Sequence, residues 1–322
     1  MNKEDSLYSI YVQILKEELV MAMGCTEPIA ISYACAKATQ VLDHLPDRIV
    51  VKASGSIIKN VKSVIVPHTN GLKGIEVAAA AGALYGDADA KLEVLSSATR
   101  EQIEELPEYV QNTNITVQHI EQGHVFDLDT HTNIVQIEKN WQVIFEDKTT
   151  SLELKADHSA LIMKQIWDFS QTVDIDDVKE ILDRQITCNM AIANEGIHNS
   201  YGANIGHVIL NMDSDCVKTK AKAYAAAGSD ARMNGCELPV VINSGSGNQG
   251  ITCCVPVVVY AKELDCTQEQ LYRALVLSNL TAIYIKTGIG TLSAFCGAVS
   301  AGAAAGAGIA YLHNGTYKEI QH

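Results

Sequence analysis

Apolar side chains recur at Leu7, Ile10, Ile14, Leu15, Leu19, Val20 and Met23. This spacing gathers them on one face of a helix. It predicts a helix over residues 5–23, interrupted by Gly24. A second helix is expected to open at Thr26-Glu27-Pro28, where Thr26 can cap and a first-turn proline forfeits no helical hydrogen bond. The apolar runs that follow differ in kind. Residues 48–54 and 56–67 are rich in Val and Ile and predict strands. Residues 73–111 return to helix, with an Ala-rich half and an acidic half broken at Pro107. Between 115 and 154 the short runs ITVQHIE, TNIVQIE, WQVIF and SLELK alternate with polar turn residues and predict further strands.

From about residue 158 the pattern is mainly helical. Asp174 and Asp177 have the spacing of a cap. Thr267 and Gln270 match a capping box opening a helix over 267–285. Cys296–Leu312 is Ala- and Gly-rich and short for a membrane span, so it reads as a buried helix. The fold class implied is α+β. Residues 1–157 form N-terminal helices and a mixed α/β region, and residues 158–322 form a mainly helical region rich in Ala and Gly.

Composition sharpens this picture. Hydrophobic residues make up 47% of the 322 and charged residues 19%, enough to build a core, yet aromatics are only 6%. Closely packed helices with small contact residues are therefore expected. The net charge is −14 and no Lys/Arg run offsets it. Polyphosphate would be repelled, which disfavours nucleic acid as a partner. The opening MNKEDSLYSIY lacks the apolar centre of a secretion signal. Nine cysteines, an odd number with no C-x-x-C pair, point to a reducing, cytoplasmic setting rather than to disulfides or a zinc ribbon. The expected partner is a small molecule, with neither nucleic acid nor membrane involved and with homo-oligomerisation left open.

Several places could carry chemistry. Cys25 precedes a helix start, where free N–H groups and the helix dipole favour a thiolate; the alternative is a cysteine packed in an interhelix turn. Asn243–Gly250 follows the apolar run Leu238–Ile242. Its backbone N–H groups could cradle a carboxylate or phosphate, with Ser244, Ser246, Asn248 and Gln249 adding hydroxyls and amides. The same stretch matches G-x-G-x-x-G, but no second strand ending in an acidic residue follows, which disfavours a nicotinamide site. A glycine turn that lets two helices approach is the plainer alternative. Arg232 could grip a carboxylate through its planar fork, held by Asp230; alone, the pair reads as a surface ion pair. Cys296 lies among small apolar residues, as core cysteines do, and at least one of Cys253 and Cys254 should be packing. His119, His124, Asp127, Asp129 and His131 could bind metal, though their strand-and-loop setting fits solvated polar residues better.

Taken together, GCTEPIA at 24–30, HTNIVQIE at 131–138, SDARM at 229–233, SGSGNQGIT at 244–252 and LSAFCGA at 292–298 resemble the L-cysteine desulfidase family. That family is related to the alpha chain of bacterial iron–sulfur L-serine dehydratases. The resemblance implies β-elimination of L-cysteine to pyruvate, ammonia and sulfide, assisted by a [4Fe–4S] cluster with one iron free of protein thiolate. It implies Cys25 as base and Cys296 as the first cluster ligand. Arg232 with Ser244, Ser246, Asn248 and Gln249 would then hold the amino-acid carboxylate. The family pattern adds two further cysteines beyond Cys296 that this sequence does not contain, so the chain reads as a C-terminally shortened member. An L-serine dehydratase-like enzyme and a non-catalytic remnant stay open as alternatives.

Overall fold

The structure, a computed structural model, describes residues 1–120, 136–139, 142–146, 156–289 and 297–321. It is predominantly helical and has the expected α+β character. In chain order the elements are α1 (Ser6–Glu18), β1 (Met21–Met23), α2 (Thr26–Leu42), β2 (Arg48–Ala53), α3 (Gly55–Val61), α4 (Ile75–Tyr85), α5 (Arg100–Asn112), β3 (Asn114–His119), β4 (Gln136–Lys139) and β5 (Gln142–Glu146). They continue with α6 (Met163–Thr172), α7 (Lys179–His198), α8 (Ile205–Leu210), α9 (Val217–Met233), β6 (Pro239–Val241), α10 (Gly247–Glu263), α11 (Gln268–Thr287), α12 (Gly297–Leu312) and α13 (Tyr317–Ile320). The chain divides into two compact units. One comprises Met1–Met21, Leu154–Arg232 and Leu238–His322; the other comprises Ala22–Glu153 and Met233–Glu237.

The first unit is a helical assembly around α11, whose Leu275, Leu277 and Leu280 are fully buried. Its start is fixed by the predicted capping box between Thr267 and Gln270. Helix α1 is capped by Asp5 and buries Tyr11, Ile14 and Leu15. The rings of Tyr8 and Tyr11 each meet Phe169 of α6 edge-on, with centroids 5.3 Å apart. Small residues set the spacing between α11 and α12. A Cβ on Gly308 would stand 2.9 Å from the Ala274 carbonyl oxygen, so the backbones approach more closely than any other residue there would allow. No described helix is long and apolar enough to cross a membrane.

The second unit pairs β2 with β3 in parallel, in register from Arg48–Asn114 to Ala53–His119, and pairs β4 with β5 antiparallel. Helices α2 and α4 cross at Gly82, where a Cβ would lie 2.1 Å from the Ser32 carbonyl oxygen. The Ser32 hydroxyl donates to the Ala78 carbonyl at 2.7 Å across the same crossing.

Four local expectations are corrected. Helix α1 stops at Glu18 rather than 23, because the next carbonyls are claimed from outside the helix: Arg184 Nη2 donates to Leu19 O at 3.3 Å and the Ile242 N–H to Val20 O at 2.9 Å. Residues 55–61 are helical, not a strand, because the Ser54 hydroxyl caps the Ile57 N–H and a local cap outweighs the β propensity of two isoleucines. The helical stretch 73–111 breaks at 86–99 rather than at Pro107. There Gly86 closes α4, and a capping box at Thr99 and Gln102 starts α5. Pro107 sits on the exposed side of α5, where the carbonyl that loses its partner can turn to water. Finally, Cys25 rather than Thr26 is the N-cap residue of α2. The run SLELK, residues His124, Asp127, Asp129 and His131, and Cys296 lie outside the described residues.

Replacing Gly82 by Ala should force α2 and α4 apart and cost about 1–3 kcal/mol, as overpacking typically does. Urea unfolding should register this as a lowered midpoint at constant slope. An unchanged midpoint would contradict the close crossing.

Candidate functional site

The predicted glycine-rich loop sits in the first unit, and buried amides hold it in place. Val241 is bracketed by the Asn189 side chain, which donates to its carbonyl at 3.0 Å and accepts from its N–H at 2.8 Å. A side chain here stands in for a neighbouring strand. Asn243 and Ser246 then exchange both backbone hydrogen bonds at 3.1 Å. Between them Ser244 and Gly245 have φ of 49° and 76°, the paired left-handed residues of a type I′ turn. Asn243 is fully buried and donates through Nδ2 to the backbone and side-chain oxygens of Asn279, at 3.3 and 3.1 Å. Asn279 Oδ1 also accepts from Gln185 Nε2 at 2.9 Å and from the Cys253 thiol at 3.2 Å. Thus α7, α10, α11 and the turn meet on one buried amide.

This arrangement engages the loop's serines within the turn. The Ser244 hydroxyl donates to Asn243 Oδ1 at 3.0 Å. The Ser246 hydroxyl is the N-cap of α10, accepting from the Gln249 N–H, and the Ser246 N–H goes to Asn243 O. Both serines therefore bond within the turn, and the N–H groups that could meet an anion are those of the first turn of α10. The N–H groups of Gly247 and Asn248 are among those a helix leaves without intrahelical partners, and the helix dipole adds positive potential there. Arg232, 2% exposed at the C-terminal end of α9, reaches this turn. Its Nη1 donates to Asn248 Oδ1 at 3.0 Å. A Cβ on Gly247 would lie 2.2 Å from Arg232 Nε, so only glycine lets the guanidinium lie against the helix start. Gln249 is 3% exposed, and its Oε1 has no hydrogen-bond partner. Asp230, two residues before Arg232, accepts from the Ile205 N–H at 2.8 Å.

Cys25 sits in the second unit. Gly24, with φ of 62°, turns the chain against Pro67, where a Cβ would clash at 2.1 Å. The buried Cys25 thiol donates to Glu27 Oε2 at 2.8 Å. Thr26 Oγ1 donates to the same oxygen at 3.3 Å, and Asn60 Nδ2 to Glu27 Oε1 at 3.2 Å. Glu27 was missed in the sequence, although its place two residues after Cys25 in the first helical turn was the available signal. His68 was missed as well. Its φ of 53° places it in the left-handed region, its Nε2 is 3.1 Å from Met23 Sδ, and its Nδ1 is 3.4 Å from Glu237 Oε1. Tyr85 donates to the His68 carbonyl at 2.7 Å, and burial pushes the Tyr85 hydroxyl pKa up.

A [4Fe–4S] cluster needs three or four thiolates. Cys253 and Cys254 are fully buried. Burial pushes the Cys253 thiol up to about 12 and the Cys254 thiol upward as well. Cys253 donates to an amide oxygen as a neutral thiol, so the two read as packing cysteines. Among the described residues no group of three or more His, Cys, Asp and Glu side chains is placed to share a metal ion. The described residues therefore do not by themselves fit a cluster.

The sequence profile of the serine dehydratase alpha chain matches residues 89–322. The chain belongs to the serine dehydratase alpha chain family. The match takes in Arg232 and the 243–250 loop and leaves Cys25, Glu27 and His68 outside it. Family membership brings an association with iron–sulfur serine dehydratases. The chain is also 51% identical to a UPF0597 protein of Desulfitobacterium hafniense, across all of this chain and 79% of that protein. A UPF0597 protein of Lachnoclostridium phytofermentans is 50% identical over 98% of this chain and 79% of its own length. One from Treponema denticola is 46% identical over 99% and 80%. No solved structure matches.

A carboxylate beside a sulfur opposes thiolate formation. Glu27→Gln should therefore raise the thiolate fraction of Cys25 at pH 8, read as absorbance near 240 nm against a Cys25→Ser reference. An unchanged or lower fraction would contradict the thiol–carboxylate pair.

Proposed function

We propose that this member of the serine dehydratase alpha chain family is a lyase. It would catalyse β-elimination on a small L-amino acid carrying a β-hydroxyl or β-thiol, L-serine or L-cysteine. The observation that carries the reading is the buried Arg232 guanidinium lying against the first turn of α10, 3.0 Å from Asn248 Oδ1. A buried cation beside helix N–H groups that lack intrahelical partners suits a carboxylate, and the glycine at position 247 leaves room for the guanidinium there.

In this reading Arg232 and the α10 amides hold the substrate carboxylate, and Asn248 orients the guanidinium. The resemblance to cysteine desulfidases implies Cys25 as the base that takes the α-proton. Loss of that α-proton and departure of the β-substituent, as water or hydrosulfide, leave aminoacrylate. This tautomerises to the imine and hydrolyses to pyruvate and ammonia. The family association with iron–sulfur serine dehydratases supports the hydroxyl substrate, whereas the five motifs resembling cysteine desulfidases support the thiol.

The test is pyruvate formation from L-serine and L-cysteine, with sulfide measured for the latter. The protein is assayed as purified and after anaerobic treatment with iron and sulfide. Arg232→Met should reduce kcat/KM by about 100-fold or more, the scale of a lost charge-assisted contact. Cys25→Ala turning over at the wild-type rate would remove Cys25 as the base. Absence of pyruvate under both conditions would overturn the lyase reading and leave the non-catalytic alternative.

A further inference from the structure

The carboxylate site at α10 contains one polar group that a carboxylate does not satisfy. Gln249 is the third residue of α10 and is 3% exposed. Its backbone N–H is taken by the Ser246 cap, yet its side-chain Oε1 is buried without a hydrogen-bond partner. Leaving a buried acceptor unpaired costs free energy that a bare structural role would not explain. Gln249 directly follows Asn248, the partner of Arg232, so its amide belongs to the same first turn of α10. Its position is enforced from the other side by Gly297. A Cβ there would lie 2.4 Å from Gln249 Cδ and 2.8 Å from Oε1. The backbone of α12 thus presses flat against the amide and leaves it no room to swing away.

We infer that Gln249 Oε1 is the acceptor for the substrate's α-ammonium group and restricts this site to α-amino acids over hydroxy and deaminated acids. The inference rests on the proposed carboxylate site and adds the second half of its recognition. A carboxylate alone would pair with Arg232 and the α10 amides and leave Oε1 empty. A ligand carrying both a carboxylate and a nearby cationic N–H donor satisfies both. An ammonium offers three donors and can spend one on Oε1. Because that hydrogen bond has a charged donor and a desolvated acceptor, it is worth about a 10- to 100-fold preference. Specificity of this kind comes from a site built around a particular N–H group, which rejects analogues lacking it.

The experiment is isothermal titration of the intact chain with two ligand pairs differing only in the ammonium: L-cysteine against 3-mercaptopropionate, and L-serine against 3-hydroxypropionate. The wild-type chain should bind each amino acid about 10- to 100-fold more tightly than its partner. Gln249→Leu should bring both ratios near one while still binding the acids. Gln249→Glu, which can only accept, should keep the preference. Gly297→Ala, which displaces the amide without removing it, should lower the ratios as Leu does. Melting curves of each variant show whether it is folded, and Gln249→Glu and Gly297→Ala carry the test if the Leu variant is not. Equal binding of amino and deaminated acids by wild type would overturn the role of Gln249 while sparing the carboxylate site. So would a preference that survives Gln249→Leu. No binding of any of the four ligands would overturn the carboxylate site and this inference with it.

Discussion

The side chain of Asn279 is the point on which the helical unit depends. It is fully buried on α11, and its amide exchanges hydrogen bonds with Gln185 of α7 in both directions, at 2.9 and 2.8 Å. Its oxygen also receives Asn243 from the turn and Cys253 from α10. A polar network in a low-dielectric interior stabilises only when every member is satisfied, and then it specifies one arrangement strongly. Here that arrangement includes the left-handed Ser244-Gly245 pair. Because the Ser246 cap follows directly, the direction in which α10 begins is fixed by an amide on a different helix. Hydrophobic burial around Leu275 and Leu280 holds the helices together, but apolar contacts are non-directional. They would tolerate a small rotation of α10 that the amides do not.

The location of positive potential follows from this. The chain carries a net charge of −14, yet the start of α10 gathers helix N–H groups and a guanidinium with 2% exposure. A buried cation is costly in a low dielectric unless something nearby compensates it. The Asn248 oxygen supplies part of that compensation. Glycines at 247, 250 and 297 have one function in common. Each removes a side chain where a backbone or a polar group must come close: Arg232 for the first, the Val241 carbonyl for the second, the Gln249 amide for the third.

Much of this was legible in the sequence, for physical reasons that differ by element. Helices with strong local signals were placed well. The capping box at Thr267 and Gln270, and the Ala/Gly stretch now seen as α12, depend only on residues within a few positions of each other. Failures arose where a distant group intervened. The end of α1 is decided by Arg184 and Ile242, far along the chain, and residues 55–61 are turned from strand to helix by one serine hydroxyl. The loop was read as a candidate anion site from its glycines with Arg232 as a candidate partner, and the Arg232–Asn248 hydrogen bond does bring those two together. The loop's serines bond within their own turn, an arrangement that depends on φ at Ser244, which spacing does not reveal. Glu27 and His68 were passed over for a similar reason. Their partners, Asn60 and Glu237, are brought to them only by the fold.

The central claim is that the start of α10 is where a small amino acid binds. Hydrogen–deuterium exchange of the intact chain, with and without saturating L-serine, tests it directly. The account predicts slowed exchange concentrated in residues 243–250, with the amides of Gly247 and Asn248 most affected and the interior of α11 unchanged. Binding that leaves 243–250 untouched and protects some other segment would contradict it.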